Sequence, residues 1–217
     1  MQIDRRAALA VFALTFGACA TTGKGVLNVV SSPARSGLFF TLKVADTFRR
    51  LPRITIPIED KTIATRDVFV EADARGVVRR AVIVQLETVV PGSDFRFRYP
   101  AEPPQTLGNK AYRFTGFAFD DARDAAAAPG KEADRTRALL LQQHLKPPRV
   151  WQAVRLARVH DPYGLTEVIV FYLENADLHF ATGPLPDADE DGDAPLDAAT
   201  KTRMLAALRR AVTVLND

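Results

Sequence analysis

The residues best suited to chemistry in this 217-residue chain are a run of alternate carboxylates, three histidines and a single cysteine. Asp187, Asp189, Asp191 and Asp193, with Gly192 before the last, follow the D-x-D-x-D-G opening of a calcium loop. Alternate carboxylates converge on a hard cation, and the glycine permits the sharp turn between them. The second half of the loop diverges, with Pro195 in ninth place and Ala198 in twelfth, where a bidentate glutamate belongs. Two readings stand: a calcium site, or a solvated acidic linker leading into a helix whose N-terminus favours negative charge. His144, His160 and His179 share neither H-x-H nor H-x-x-x-H spacing, so a joint metal site would need tertiary convergence. Nucleophilic catalysis has no G-x-S-x-G around Ser31, Ser32, Ser36 or Ser93. Gly23-Lys24-Gly25 lacks the spacing of a phosphate loop.

A second group of residues is suited to binding rather than to catalysis. Tyr112, Phe114, Phe117, Phe119, Trp151, Phe171 and Tyr172 fall in segments that read as strands. Such rings either fill a core or line an apolar pocket between a sheet and a helix. Phe95, Phe97 and Tyr99 alternate with Arg96 and Arg98, the pattern of a half-buried strand or of a stacking platform.

Cys19 follows Arg5-Arg6, the apolar run 7–14 and the segment Thr15-Phe16-Gly17-Ala18. A basic start, an apolar middle and small residues before a cut make up an export signal. The run is shorter than the roughly 20 apolar residues that span a bilayer. Gly17-Ala18-Cys19 resembles the lipobox that ends a bacterial lipoprotein signal peptide, with Phe16 where an aliphatic residue is usual. The resemblance covers residues 1–19 alone. It implies a mature chain that begins at Cys19, carries acyl chains there and is held to a membrane on the periplasmic side. Residues 1–18 are then a signal peptide, 19–36 a tether rich in small and turn-forming residues, and 37–217 one domain. With no second cysteine, the domain has neither an internal disulfide nor a cysteine-based metal site.

The formal charge of +3 becomes +2 when Asp4, Arg5 and Arg6 leave with the signal, too mild a value to argue for nucleic acid. Arginines crowd residues 49–53, 75–80 and 149–158. These clusters read as solvated faces, or as contacts to anionic lipid headgroups.

The elements that must position these residues follow from periodicity. Phe40, Val44, Phe48 and Leu51 have helical spacing that Pro52 stops, though Leu38–Leu42 also reads as a strand, and an early strand is allowed for at Val26–Val30. Residues 66–90 read as a hairpin turning at Asp73–Gly76, and Tyr112–Phe119 as a strand with a bulge at Gly116. Residues 120–131 read as an exposed loop and 134–145 as a helix stopped by Pro147-Pro148. Val150–His160 and Leu165–Glu174 flank the turn Asp161-Pro162-Tyr163-Gly164, and the second arm is apolar on both faces, as a central strand is. Leu205, Leu208, Val212 and Leu215 mark a C-terminal helix capped by Asp197.

The expectation is an α+β fold, an antiparallel sheet built from hairpins and packed by two or three helices. The expected function is a non-enzymatic, lipid-anchored envelope protein that binds a partner or supports assembly. The alternatives are a carrier of lipid or another apolar ligand in a sheet–helix cavity, and a hydrolase assembled from distant segments.

Overall fold

The computed structural model describes residues 28–33, 39–99, 104–177, 185 and 193–216. Cys19 and the signal segment, His179, and Asp187, Asp189 and Asp191 of the acidic run lie outside the described residues. Along the chain come β1 (Val29–Pro33), β2 (Phe39–Val44), β3 (Arg49–Arg50), β4 (Ile54–Ile58), β5 (Thr62–Ala72) and β6 (Val78–Val89). Then follow β7 (Gln105–Leu107), β8 (Lys110–Asp120), α1 (Asp121–Ala127), α2 (Glu132–Gln142), β9 (Val150–Val159) and β10 (Thr166–Asn175). The last elements are β11 (Ala194–Pro195), α3 (Ala198–Ala211) and β12 (Val212–Asn216).

The strands pair antiparallel in two sheets: a small one ordered β1-β2-β12, and a nine-stranded one ordered β11-β8-β9-β10-β6-β5-β3. Strand β4 also pairs with β5, and β7 with β8. The hairpins expected at 66–90 and 150–174 are β5–β6 and β9–β10, and β10 is central, as its two apolar faces require. Among the described residues the fold is thus antiparallel β with three helices, coarsely α+β and more dominated by sheet than expected.

Side chains alternate across each strand, so the large sheet sorts its residues onto two faces. On one, Phe69, Val82, Val84, Tyr112, Leu156, Val170 and Tyr172 pack with Met204, Leu205 and Leu208 of α3 and with Phe40, Leu42 and Val44 of the small sheet. On the other, Val68, Val70, Ala81, Ile83, Trp151, Ala153 and Leu173 pack with Leu139 and Leu140 of α2 and with Leu145. Both faces are therefore covered.

Several expectations change. Residues 39–50 are β2, a turn and β3, so the strand reading of this segment holds and the helical one does not. Phe40, Leu42 and Val44 are buried while Thr41 and Lys43 are half-exposed, a period of two that a ladder partner makes decisive. Residues 29–33 of the expected tether form β1, paired with β2. Residues 120–131 are not all loop: Asp120 caps α1, its side chain accepting from the Arg123 N–H, and only the Pro129-Gly130 region turns. No bulge interrupts β8 at Gly116, because Arg113–Asp120 run in unbroken register with Ala157–Val150. Its aromatics change parity because the sheet is apolar on both sides.

The segment Phe95–Tyr99 keeps its alternation of half-buried and exposed residues but joins no ladder. It lies extended against the β9–β10 turn, anchored by the Phe97 N–H donating to the Gly164 carbonyl at 2.9 Å. At the C-terminus Asp197 does cap α3, accepting from the Thr200 N–H at 2.8 Å and the Thr200 hydroxyl at 2.7 Å. The helix ends at Ala211, however, and Val212 and Leu215 belong to β12.

Candidate ligand cavity and its charged floor

Between the large sheet and helices α1 and α2 lies a cavity of about 180 Å³. Phe117, Phe119, Trp151, Phe171, Ile83 and Leu173 form its sheet wall, Ala133, Thr136 and Leu140 its helical wall. Arg66, Asp121, Asp124, Glu132 and Asp193 also line it.

Asp121 fixes this geometry. It is the first residue of α1, and its backbone N–H donates to the Arg149 carbonyl just before β9. Its carboxylate accepts from the Trp151 indole N–H at 3.0 Å and pairs with Arg137 of α2. One side chain thus ties both helices to the sheet and sets the indole plane in the wall. Burial raises the Asp121 carboxyl above the usual aspartate range, against the bonds from Trp151 and Arg137. Asp124, one turn on, is raised by the same cause. Its Oδ1 is buried, accepts no hydrogen bond among the described residues, and lies 3.5 Å from Arg123.

Arg66 closes the other end. It is buried on β5, where Nε donates to Gln85 Oε1 at 2.5 Å and Nη1 to the Thr136 hydroxyl at 2.7 Å and the Glu132 carbonyl at 3.1 Å. These bonds bring the first turns of α2 down onto the sheet. Burial lowers its pKa to about 10, which leaves it cationic at neutral pH. The Arg66 and Arg155 guanidinium carbons stand 5.6 and 5.9 Å from the centre of the Phe171 ring, which both cations therefore use.

Beyond Arg66 the same face turns polar. Gln85 Nε2 donates to Glu87 at 3.0 Å, and the Thr62 hydroxyl donates to the other Glu87 oxygen at 2.5 Å. Glu167 stands directly opposite Glu87 in the β6–β10 ladder. Its Oε1 is buried and accepts no hydrogen bond among the described residues, with Arg155 at 3.7 Å. Burial, then the charge of Glu87, pushes the Glu167 carboxyl up to about 8. Glu167 therefore holds a proton at neutral pH.

Of the aromatic residues expected to share a pocket, Phe117, Phe119, Trp151 and Phe171 line this cavity. Tyr112, Phe114 and Tyr172 do not: strand alternation places them on the opposite face, against α3 and the small sheet. Periodicity could have made this division, since Phe114 and Phe117 differ by an odd number of places on one unbroken strand. Arg66, Asp121 and Asp124 were missed. The signal for the two aspartates is the Asp120-Asp121 pair ahead of an alanine run, a helix start with acid in its first turn. Nothing local marks Arg66, whose partners lie on other strands and on α2.

Of the calcium candidates, Asp193 is the one described, and it lines this cavity. Among the described residues no cluster of three or more His, Cys, Asp or Glu side chains could hold a metal ion. His160 is buried beside Arg158, its ring edge-on to Phe40 at 5.6 Å. His144 adopts a positive φ of 56° just after α2. No helix among the described residues is long and apolar enough to cross a membrane. Compared with known proteins, the chain matches no family model, no curated protein and no solved structure.

Proposed function

We propose that the protein binds a small apolar molecule, or the apolar end of a larger one, between its sheet and helices α1 and α2. The observation that carries this reading is the aromatic cavity itself. Its volume of about 180 Å³ compares with the roughly 150 Å³ of a dry, apolar cavity that accepts benzene. A ring or a short branched chain fits, whereas a whole acyl chain does not. The lipobox-like segment ending at Cys19 supports a reading in which the protein acts as an anchored carrier or sensor at the periplasmic face of a membrane. Of the roles expected from the sequence, the carrier gains this specific support over partner binding.

Trp151 supplies the test, because it is the only tryptophan and lines the cavity. Titration with ethylbenzene should change its emission saturably, and Ala133→Phe, which fills the space from α2, should abolish the change. A non-saturating response, or one that Ala133→Phe leaves intact, would refute cavity binding.

A further inference from the structure

We propose that, given that the cavity binds a ligand, this ligand is a small organic cation: a protonated or quaternary amine carried on an apolar group. Four carboxylate residues, Asp121, Asp124, Glu132 and Asp193, line the cavity against one guanidinium, that of Arg66. Arg66 is already engaged by Gln85, Thr136 and the Glu132 carbonyl, and it stacks on Phe171. It is a structural cation more than a receptor for an anion.

Asp121 has a cation of its own in Arg137, which approaches from α2. Asp124 is served less well. Arg123 reaches it only at 3.5 Å, with 44% of its own side chain exposed. The buried Asp124 Oδ1 receives no hydrogen bond among the described residues. A half-buried carboxylate in this condition gains most from a cation that arrives with little water attached.

The apolar wall favours the same chemistry. Phe117 and Phe119 lie side by side, centroids 5.9 Å apart, with Trp151 also in the wall. Ring faces attract cations, and indole most of all. Phe171 is occupied by Arg66 and Arg155, so the incoming group meets Phe117, Phe119 and Trp151. A neutral hydrocarbon would use the rings and leave Asp124 with Arg123 at 3.5 Å as its cation. An anion would meet a lining rich in acidic residues, with Arg66 already engaged.

Three probes of nearly equal size separate these cases when the full chain is titrated and Trp151 emission is read: benzylammonium, ethylbenzene and benzoate. Benzylammonium should bind at least tenfold more tightly than ethylbenzene, and benzoate more weakly than either. Asp124→Asn should weaken benzylammonium at least tenfold more than it weakens ethylbenzene. If ethylbenzene binds and benzylammonium binds no more tightly, the cavity reading stands and the cation reading falls. Equal losses for both probes in Asp124→Asn would also overturn it. If no probe perturbs Trp151, both readings fall. The comparison of probes on the unmodified chain does not depend on whether the variant folds.

Discussion

Glu87 and Glu167 face each other across β6 and β10, paired residue for residue in the ladder and both buried. Like charges at directly opposed positions destabilise a sheet, so the pair persists by sharing its charge unequally. Glu87, bonded by Thr62 and Gln85, is the better place for the negative charge. Glu167 keeps the proton.

Stability should therefore fall with rising pH. Glu167 titrates near 4.5 in the unfolded chain and near 8 in the folded one. Between these values the native state holds a proton that the unfolded state has lost, which gives a negative slope of at most about 1.4 kcal/mol per pH unit. Urea midpoints should drop between pH 5 and pH 8, pH values chosen within and at the edge of this window. Glu167→Gln, which mimics the protonated acid, should flatten that drop. An unchanged slope in the variant would assign the effect to other groups.

Asp121→Ala should destabilise the protein by about 2–3 kcal/mol, because it leaves the Trp151 indole N–H and the Arg137 guanidinium without their shared partner. Trp151 emission should shift to the red as α1 and α2 loosen. Asp121→Asn retains an acceptor for the indole and should cost less. Chemical denaturation with fluorescence readout measures both effects.

Gly164 sits at a φ of +70° in the β9–β10 turn, and a Cβ there would lie 2.9 Å from the Phe97 carbonyl oxygen. Gly164→Ala meets both left-handed strain and backbone that cannot yield like a flexible side chain. A loss of about 1–3 kcal/mol is expected. The substitution should also free the segment Phe95–Tyr99, raising proteolysis after Arg96 and Arg98. A control is Gly92→Ala, which has nothing within 4 Å of its Cβ though its φ is +88°, and should show the backbone strain alone.

The proposed anchor predicts a specific mass. Protein extracted from membranes should begin at Cys19 and carry acyl chains, and Cys19→Ala should abolish both the lipid and the membrane association. A mature form that lacks lipid would leave an exported but unanchored carrier.

The hairpins could be read from sequence because their signals are local. Asp161-Pro162-Tyr163-Gly164 specifies its turn from four residues, and Asp161 completes it by accepting from the Tyr163 N–H at 2.8 Å. The cap at Asp197 was legible for the same reason. The segment 38–51 was not, since Phe40, Val44 and Phe48 satisfy a helical spacing while Phe40, Leu42 and Val44 satisfy a strand. What decides between them is β12, far along the chain. The cavity was half legible: aromatic content pointed to it, but the division of those rings between two faces needs the register of β8, β9 and β10. Its carboxylates were hidden in a stretch whose alanines and Pro129-Gly130 suggested a loop.

The partnership of β2 with β12 also sets an order of assembly. Val44 lies opposite Val212, so the edge formed early in synthesis waits for the last strand of the described chain. The ladders β5–β6 and β9–β10 join near neighbours and close over short turns. Contacts of such unequal sequence separation form at unequal rates, the distant ones last. Until β12 docks, Phe40, Leu42 and Val44 lack the strand that completes their sheet. During that interval an apolar edge stands open, and in a crowded compartment it is a place where a chaperone, or another unfinished copy, could lay down a strand of its own.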